Sequence, residues 1–270
     1  MRYPILLCVL MNLYSSVPAT AVPDASQRYF TESPNSTHLD ARFSHGTPPH
    51  HRHDPALFTN LTCSYLTTMN ALGVTTWLAH GSLLGCFFGE RRLPWDDDLD
   101  THLMLEDLEF LASYYNMTVY EYGSTSYLLD INPAYSTSTD PAPPGNVEGF
   151  APPGKNNIDA RYIDMQSGLF VDMTALAPTG PLRLSAGISG REQRVLAKDG
   201  HQYRYSDIFP LQASAFEGCA VLVPRETAAI LSAEYGVDSL TRTTYRGYHW
   251  HADAEKWLPI RTTPKTLHRP

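Results

Sequence analysis

The stretch Trp95-Asp96-Asp97-Asp98-Leu99-Asp100-Thr101-His102-Leu103 sets the tightest limit on what this 270-residue chain can become. Four carboxylates fall within five residues, flanked by apolar side chains. Like charges this close repel and raise one another's pKa, so a fold that keeps them together needs a counter-charge. A divalent cation, Mg²⁺ or Mn²⁺, is the simplest one. From Asp98 onward polar and apolar residues alternate as in a strand, which sends Leu99 and Leu103 to one face and Asp98 and Asp100 to the other. Asp96 joins the acidic face at the strand's start, and Asp97 faces elsewhere. The ordinary reading of an acidic run is a solvated surface, but Trp95, Leu99 and Leu103 at strand spacing favour a half-buried site. A calcium loop does not fit: with Asp96 in first position, Thr101 stands where Gly is required and Asp107 where a bidentate Glu is expected.

The acids follow a turn. Val74 to Ala79 reads as a short strand running into His80-Gly81-Ser82, and Leu83 to Phe88 as a packed helix. Glycine lets backbone N–H groups approach a phosphate, and a helix N-terminus adds a favourable dipole. Asp172, in the apolar strand Phe170-Val171-Asp172-Met173, is the natural third carboxylate, because a lone acid among apolar residues is costly to bury without a partner. A Gly-Ser turn, an Asp-x-Asp strand and a third acid from a neighbouring strand are the layout of a nucleotidyltransferase-type site, with Asp98, Asp100 and Asp172 as its core. Gly81 and Ser82 then contact phosphate. Arg91 and Arg92 are equally well read as phosphate ligands or structural ion pairs, and His80 as a site residue or a turn-packing one.

Around this centre the pattern predicts an α+β fold, a mixed sheet flanked by helices with an irregular C-terminal extension. Leu57, Leu61, Tyr65, Met69 and Leu72 recur at helical spacing, with Asn60 on the other side and Gly73 as the stop. Further segments are a helix over 106–115, strands over 117–122 and 127–131, a hairpin of 161–165 with 169–173, a strand over 220–223 and a helix over 226–235. Residues 132–157, rich in Pro, form an active-site loop or an insertion, and residues 177–200 another loop. Lys198 and His201 read as ordinary surface residues there, and His249 and His251 as exposed aromatics.

The domains expected are a signal peptide over 1–21, a flexible Pro/Ser/His-rich arm over 22–55, a catalytic domain over 56–260 and a tail over 261–270. Met1 to Ala21 has a basic start, an apolar core and small residues at Ala19-Thr20-Ala21, which predicts a lumenal or secreted protein of the secretory pathway. The apolar run is shorter than the roughly 20 residues a membrane span needs, so none is expected in the mature chain. Sequons at Asn35, Asn60 and Asn116 suit that route. His45, His50, His51 and His53 are read as part of a solvated linker. Beyond the signal, Cys63, Cys86 and Cys219 allow at most one internal disulfide. A net charge of −8 argues against nucleic acid as a partner.

The run Trp77-Leu78-Ala79-His80-Gly81-Ser82-Leu83-Leu84-Gly85, then Leu93-Pro94-Trp95-Asp96-Asp97-Asp98-Leu99-Asp100, resembles the signature of the LicD family, which includes bacterial phosphocholine transferases and fukutin-related proteins of animals. The similarity continues through Gly168-Leu169-Phe170-Val171-Asp172 and more weakly to Trp257. The resemblance implies metal-dependent transfer of a phospho-substituent (phosphocholine, polyol phosphate or sugar phosphate) from a CDP-linked or other nucleotide-activated donor to a hydroxyl of a glycan or glycoprotein. It also implies Asp96, Asp98 and Asp100 as metal ligands. A family Arg expected soon after the turn's second Gly is replaced here by Cys86-Phe87-Phe88-Gly89-Glu90 before Arg91. The alternative is a non-catalytic glycan-binding or assembly protein that keeps the fold.

Overall fold

A computed structural model describes residues 28–33, 36–44, 54–135, 157–179 and 193–260. The expected signal segment, Asn35, the four linker histidines, most of the 132–157 and 177–200 loops and the tail lie outside them. Helix α1 (Pro55–Ala71) starts where Asp54 caps it: the carboxylate accepts the Ala56 N–H at 2.9 Å, and Pro55 sits in the first turn, where its missing N–H costs nothing. It stops at Leu72, and Gly73 takes the left-handed backbone, φ 73°, that favours glycine. Leu61, Tyr65 and Met69, one turn apart, are buried on a sheet.

That sheet carries eight strands among the described residues. They are β3 (Thr76–Leu78), β4 (Leu99–Met104), β5 (Thr118–Tyr122), β6 (Thr125–Ile131), β7 (Ala160–Asp164), β8 (Phe170–Pro178), β9 (Arg194–Leu196) and β10 (Gln202–Arg204). Helix α2 (His80–Gly89) joins β3 to β4, and α3 (Leu105–Tyr114) joins β4 to β5. β8 is the hub: it runs antiparallel to β7 and β9 and parallel to β4. Its residues Phe170 to Ala177 are buried, as expected of a strand covered on both faces. The β4–β8 register sets Asp100 directly beside Asp172.

β4 alternates as its sequence predicts. Leu99, Thr101 and Leu103 share one face, and Tyr65 of α1 hydrogen-bonds Thr101 Oγ1 at 2.9 Å. On the other face Asp100 is half-buried, whereas His102 is only 3% exposed. The rings of Trp77, His80 and Tyr203 cover it.

The arm expected over 22–55 is folded where it is described. Glu32–Ser33 (β1) and Ser36–Asp40 (β2) pair antiparallel, and Asp40 N–H donates to the Gly168 carbonyl at 2.8 Å. Arg42 bridges Asp40 and the fully buried Asp130 at 2.9 and 2.6 Å. Tyr29 OH also donates to Asp130 at 2.8 Å, and Leu39 and Phe30 are buried, but contacts this scattered leave no apolar period in the sequence. Lys198 also departs from its surface reading. It is 2% exposed and pairs with buried Asp159 at 2.6 Å.

The C-terminal part consists of short elements: α4 (Tyr205–Ile208), the hairpin of β11 (Gln212–Phe216) with β12 (Cys219–Val223), α5 (Thr227–Tyr235), and a three-stranded antiparallel sheet of β13 (Thr244–Tyr245), β14 (Tyr248–His251) and β15 (Lys256–Pro259). Its aromatic residues clasp the acid run: Trp95 packs on Tyr245 and Trp257. A disulfide joins Cys63 of α1 to Cys219 of β12, leaving Cys86 a buried free thiol. Among the described residues no helix is long and apolar enough to cross a membrane.

Candidate active site

The acid run is pinned from three directions. Ala79 N–H donates to the Asp100 carbonyl at 3.1 Å, and Asp100 N–H donates to Ser82 Oγ at 2.9 Å, which ties the start of α2 to β4. From below, Arg92 donates to the Asp96 carbonyl at 3.3 Å, lies 3.7 Å from the Asp97 carboxylate and stacks 4.1 Å over the Phe58 ring. The third hold is Trp95 in the aromatic clasp.

Ser82 is therefore a tether for the Asp100 backbone, 2% exposed, and not a free phosphate contact. Gly81 serves clearance: a Cβ there would overlap the Asp96 carboxylate, with Cγ at 2.9 Å. Arg91 and Arg92 line a separate cavity of about 140 Å³ with Trp250 and Lys256, apart from the cavities that hold the acids. Arg92 is largely buried, and burial lowers its pKa against the pull of Asp97 and Glu217.

Two larger cavities meet the acidic motif. One, about 300 Å³, is lined by Asp98, Asp100 and Asp172 together with His38, Asn132 and Arg161. The other, about 280 Å³, is lined by Asp96 and Gly81, by Trp95, Tyr245 and Trp257, and by the cations Arg242 and Arg246. The structure thus brings Asp98, Asp100 and Asp172 to one cavity and turns Asp96 toward its neighbour.

Burial, then a hydrogen bond with the Asp98 side chain and the charge of Asp98, hold Asp96 up at about 8, and its Oδ2 is buried with no hydrogen-bond donor among the described residues. Burial and then Asp98 raise Asp100 well above the carboxylate range. Asp172 rises to about 6, burial outweighing Arg161, whose Nε donates to Asp172 Oδ1 at 2.7 Å. An orphaned carboxylate oxygen, a glycine whose side chain would displace it and three further acids on an adjoining cavity fit a hard divalent cation held by oxygen ligands.

Several residues at the site carry no signal in the sequence. Arg161 reaches Asp172 because β7 pairs with β8, a hairpin register and not a motif. His38, 3.6 Å from Asp98, arrives with the β1–β2 pair. Beside the acids, His80 sits at φ 48° with Nδ1 3.1 Å from Glu234. Burial alone would lower its pKa, but Glu234 lifts it to about 9. Burial holds the neighbouring His102 near 4. His249 Nδ1 lies 2.6 Å from the Thr243 carbonyl, and the structure gives it no link to the acids.

Residues 73–127 match the family described as LicD/FKTN/FKRP, nucleotidyltransferase domain. Over that segment the chain is similar to the LicD family. The matched residues include α2, the acid run and β4, while Asp172 lies beyond them. Among curated proteins the chain is similar to Mannosyltransferase regulator 14 of Saccharomyces cerevisiae, 30% identical over 182 residues, which is 62% of this chain and 18% of that protein. It is also similar to Mannosyltransferase regulator 4 of the same yeast, 35% identical over 113 residues, 40% of this chain and 9% of that protein. The chain spans less than a fifth of the length of either relative.

Proposed function

We propose that the chain transfers a phospho-substituent from a nucleotide-activated donor to a glycan hydroxyl in the secretory pathway, with Mg²⁺ or Mn²⁺ as cofactor. The observation that carries this reading is the convergence of Asp98, Asp100 and Asp172 on one cavity while Asp96, two residues earlier, faces the next. Asp96, Asp98 and Asp100 would hold the cation. Bound there, it would neutralise charge on the departing pyrophosphate. The chain's own part is positional. Ser82 and the β8 register hold Asp100, and Arg161 orients the Asp172 carboxylate. Asp98, whose side chain is 25% exposed, is the member placed to take a proton from an attacking hydroxyl. Arg242 and Arg246, with aromatic rings beside them, suit the phosphates and base of a donor.

A second reading has support of its own. Both relatives are named as regulators, and Arg161 already supplies Asp172 with the partner its burial requires. In that reading the chain is a non-catalytic component that binds glycan or partner enzyme. The test is transfer from a panel of CDP-linked donors and nucleotide-activated mannose, with and without Mn²⁺. Asp98→Asn and Asp100→Asn should each abolish transfer while the protein melts within a few degrees of the parent. Full activity in both variants, or no turnover by the parent with any donor, leaves the regulatory reading.

A further inference from the structure

The turn between β9 and β10 brings a second group of ligands to His80. Asp199 Oδ2 lies 2.8 Å from His201 Nδ1 and 3.6 Å from His80 Nε2, and the three atoms fall within 4.8 Å of one another. Zinc with bonds of 2.0–2.1 Å places neighbouring tetrahedral ligand atoms about 3.3 Å apart, between the two distances found. We propose that His80, Asp199 and His201 form a binding site for a transition metal of the Zn²⁺ class, distinct from the acid run Asp96 to Asp100.

Two of the three ligands, His80 and Asp199, are held in orientation by a further hydrogen bond. The remaining nitrogen of His80, Nδ1, faces Glu234 at 3.1 Å, and Tyr203 donates to the other oxygen of that carboxylate at 2.7 Å. Carboxylate–histidine–metal relays fix the ring and its tautomer in this way and leave Nε2 for the ion. Asp199 Oδ1 accepts the His201 backbone N–H at 3.0 Å, which turns Oδ2 toward the two imidazoles. His80 also keeps a left-handed backbone at φ 48°, a conformation that costs energy in a residue with a side chain and recurs where a side chain must be held for use.

A fourth group stands beside these three. The His102 ring lies 5.0 Å from that of His80, edge to face, and its Nδ1 lies 2.9 Å from the Thr174 carbonyl, to which it can only donate. In the neutral ring Nε2 is then an acceptor, and it is buried with no donor among the described residues. A water on the ion's fourth position would donate to it. Two imidazoles and one carboxylate select Zn²⁺ or Co²⁺ over Mg²⁺, which prefers oxygen and keeps its waters. His201 is exposed, so the ion enters from solvent. Its binding would fasten the β9–β10 turn to the first residue of α2.

The test is Co²⁺ and Zn²⁺ titration of the chelator-stripped full chain in millimolar Mg²⁺. One equivalent of Co²⁺ should give the intense visible band of a four-coordinate site, and Zn²⁺ should bleach it. His201→Ala should weaken Co²⁺ binding by about 100-fold or more, and Glu234→Gln by about 10- to 100-fold. Asp98→Asn should leave the band unchanged. Asp199→Asn is read the same way should the exposed His201→Ala variant fail to fold by circular dichroism. The proposal is overturned by absence of the band in the parent, by equal binding in His201→Ala, or by loss of the band in Asp98→Asn, which would put the ion in the acid run.

Discussion

At the scale of single residues, the buried acids differ by what stands opposite each one. Asp159 meets Lys198 in the interior, yet burial outweighs that cation and holds the carboxyl at about 6 against an ordinary 3.8. A proton is thus held more tightly in the folded chain than in the unfolded one. The stability due to this group is therefore present below pH 3.8 and falls as pH rises from there to about 6. Asp159→Asn should flatten that slope in denaturant midpoints measured between pH 4 and 6. At neutral pH it should cost about 3–5 kcal/mol, because Lys198 is left buried without its partner. Gly81 gives a prediction of the opposite kind to that of most helical glycines. Alanine usually stabilises a helix interior by about 1 kcal/mol, but here the new methyl must displace Asp96, so Gly81→Ala should destabilise by about 1–3 kcal/mol in urea titration.

These same residues mark what a sequence can and cannot disclose. Asp172 was legible as an acid that must have a partner, since burying a bare carboxylate among Phe170, Val171 and Met173 is costly. The partner itself, Arg161, was not, because it comes from strand pairing and leaves no spacing to read. Ser82 and Gly81 were legible as important and misleading in role. One tethers the Asp100 amide and the other clears Asp96, and both tasks depend on where β4 returns.

At the scale of elements, the periodic segments appeared where their patterns placed them. Helix α1, the β3–α2–β4 unit and the β7–β8 hairpin bury their apolar faces locally, so their spacing carries the information. β9, β10 and β11 are three to five residues long and gain their order from neighbours, so no period distinguishes them from loop. The link between α1 and β12 was legible only as three cysteines with one pairing among them. It closes a loop of 156 residues, and such a long closure restrains the unfolded chain strongly. Cys63→Ser with Cys219→Ser should lower unfolding free energy by about 2–5 kcal/mol, with Cys86 unmodified by thiol reagents until the chain unfolds.

At the scale of the whole molecule, residues 28–33 and 36–44 and the C-terminal sheet approach the acid run from separate parts of the chain. Phe30 and His38 line one cavity, and Trp95 with Tyr245 and Trp257 the other. Apart from Trp95 none of these residues lies in residues 73–127, so a family match confined to that segment covers Asp96 to Asp100 and leaves most of both surroundings to this chain.

The separation of those two cavities bears on kinetics. Asp96 borders one and Asp98 the other, so under the proposed transfer a donor and an acceptor would be seated together, each without emptying the other's place. Such a protein has no need to store the transferred group on itself between two visits. Initial rates measured against both substrates should therefore give double-reciprocal lines that intersect, the sign of a ternary complex. Parallel lines would reveal a group parked covalently on the protein, and would mean that the narrow acidic ridge between the cavities divides successive steps of one reaction.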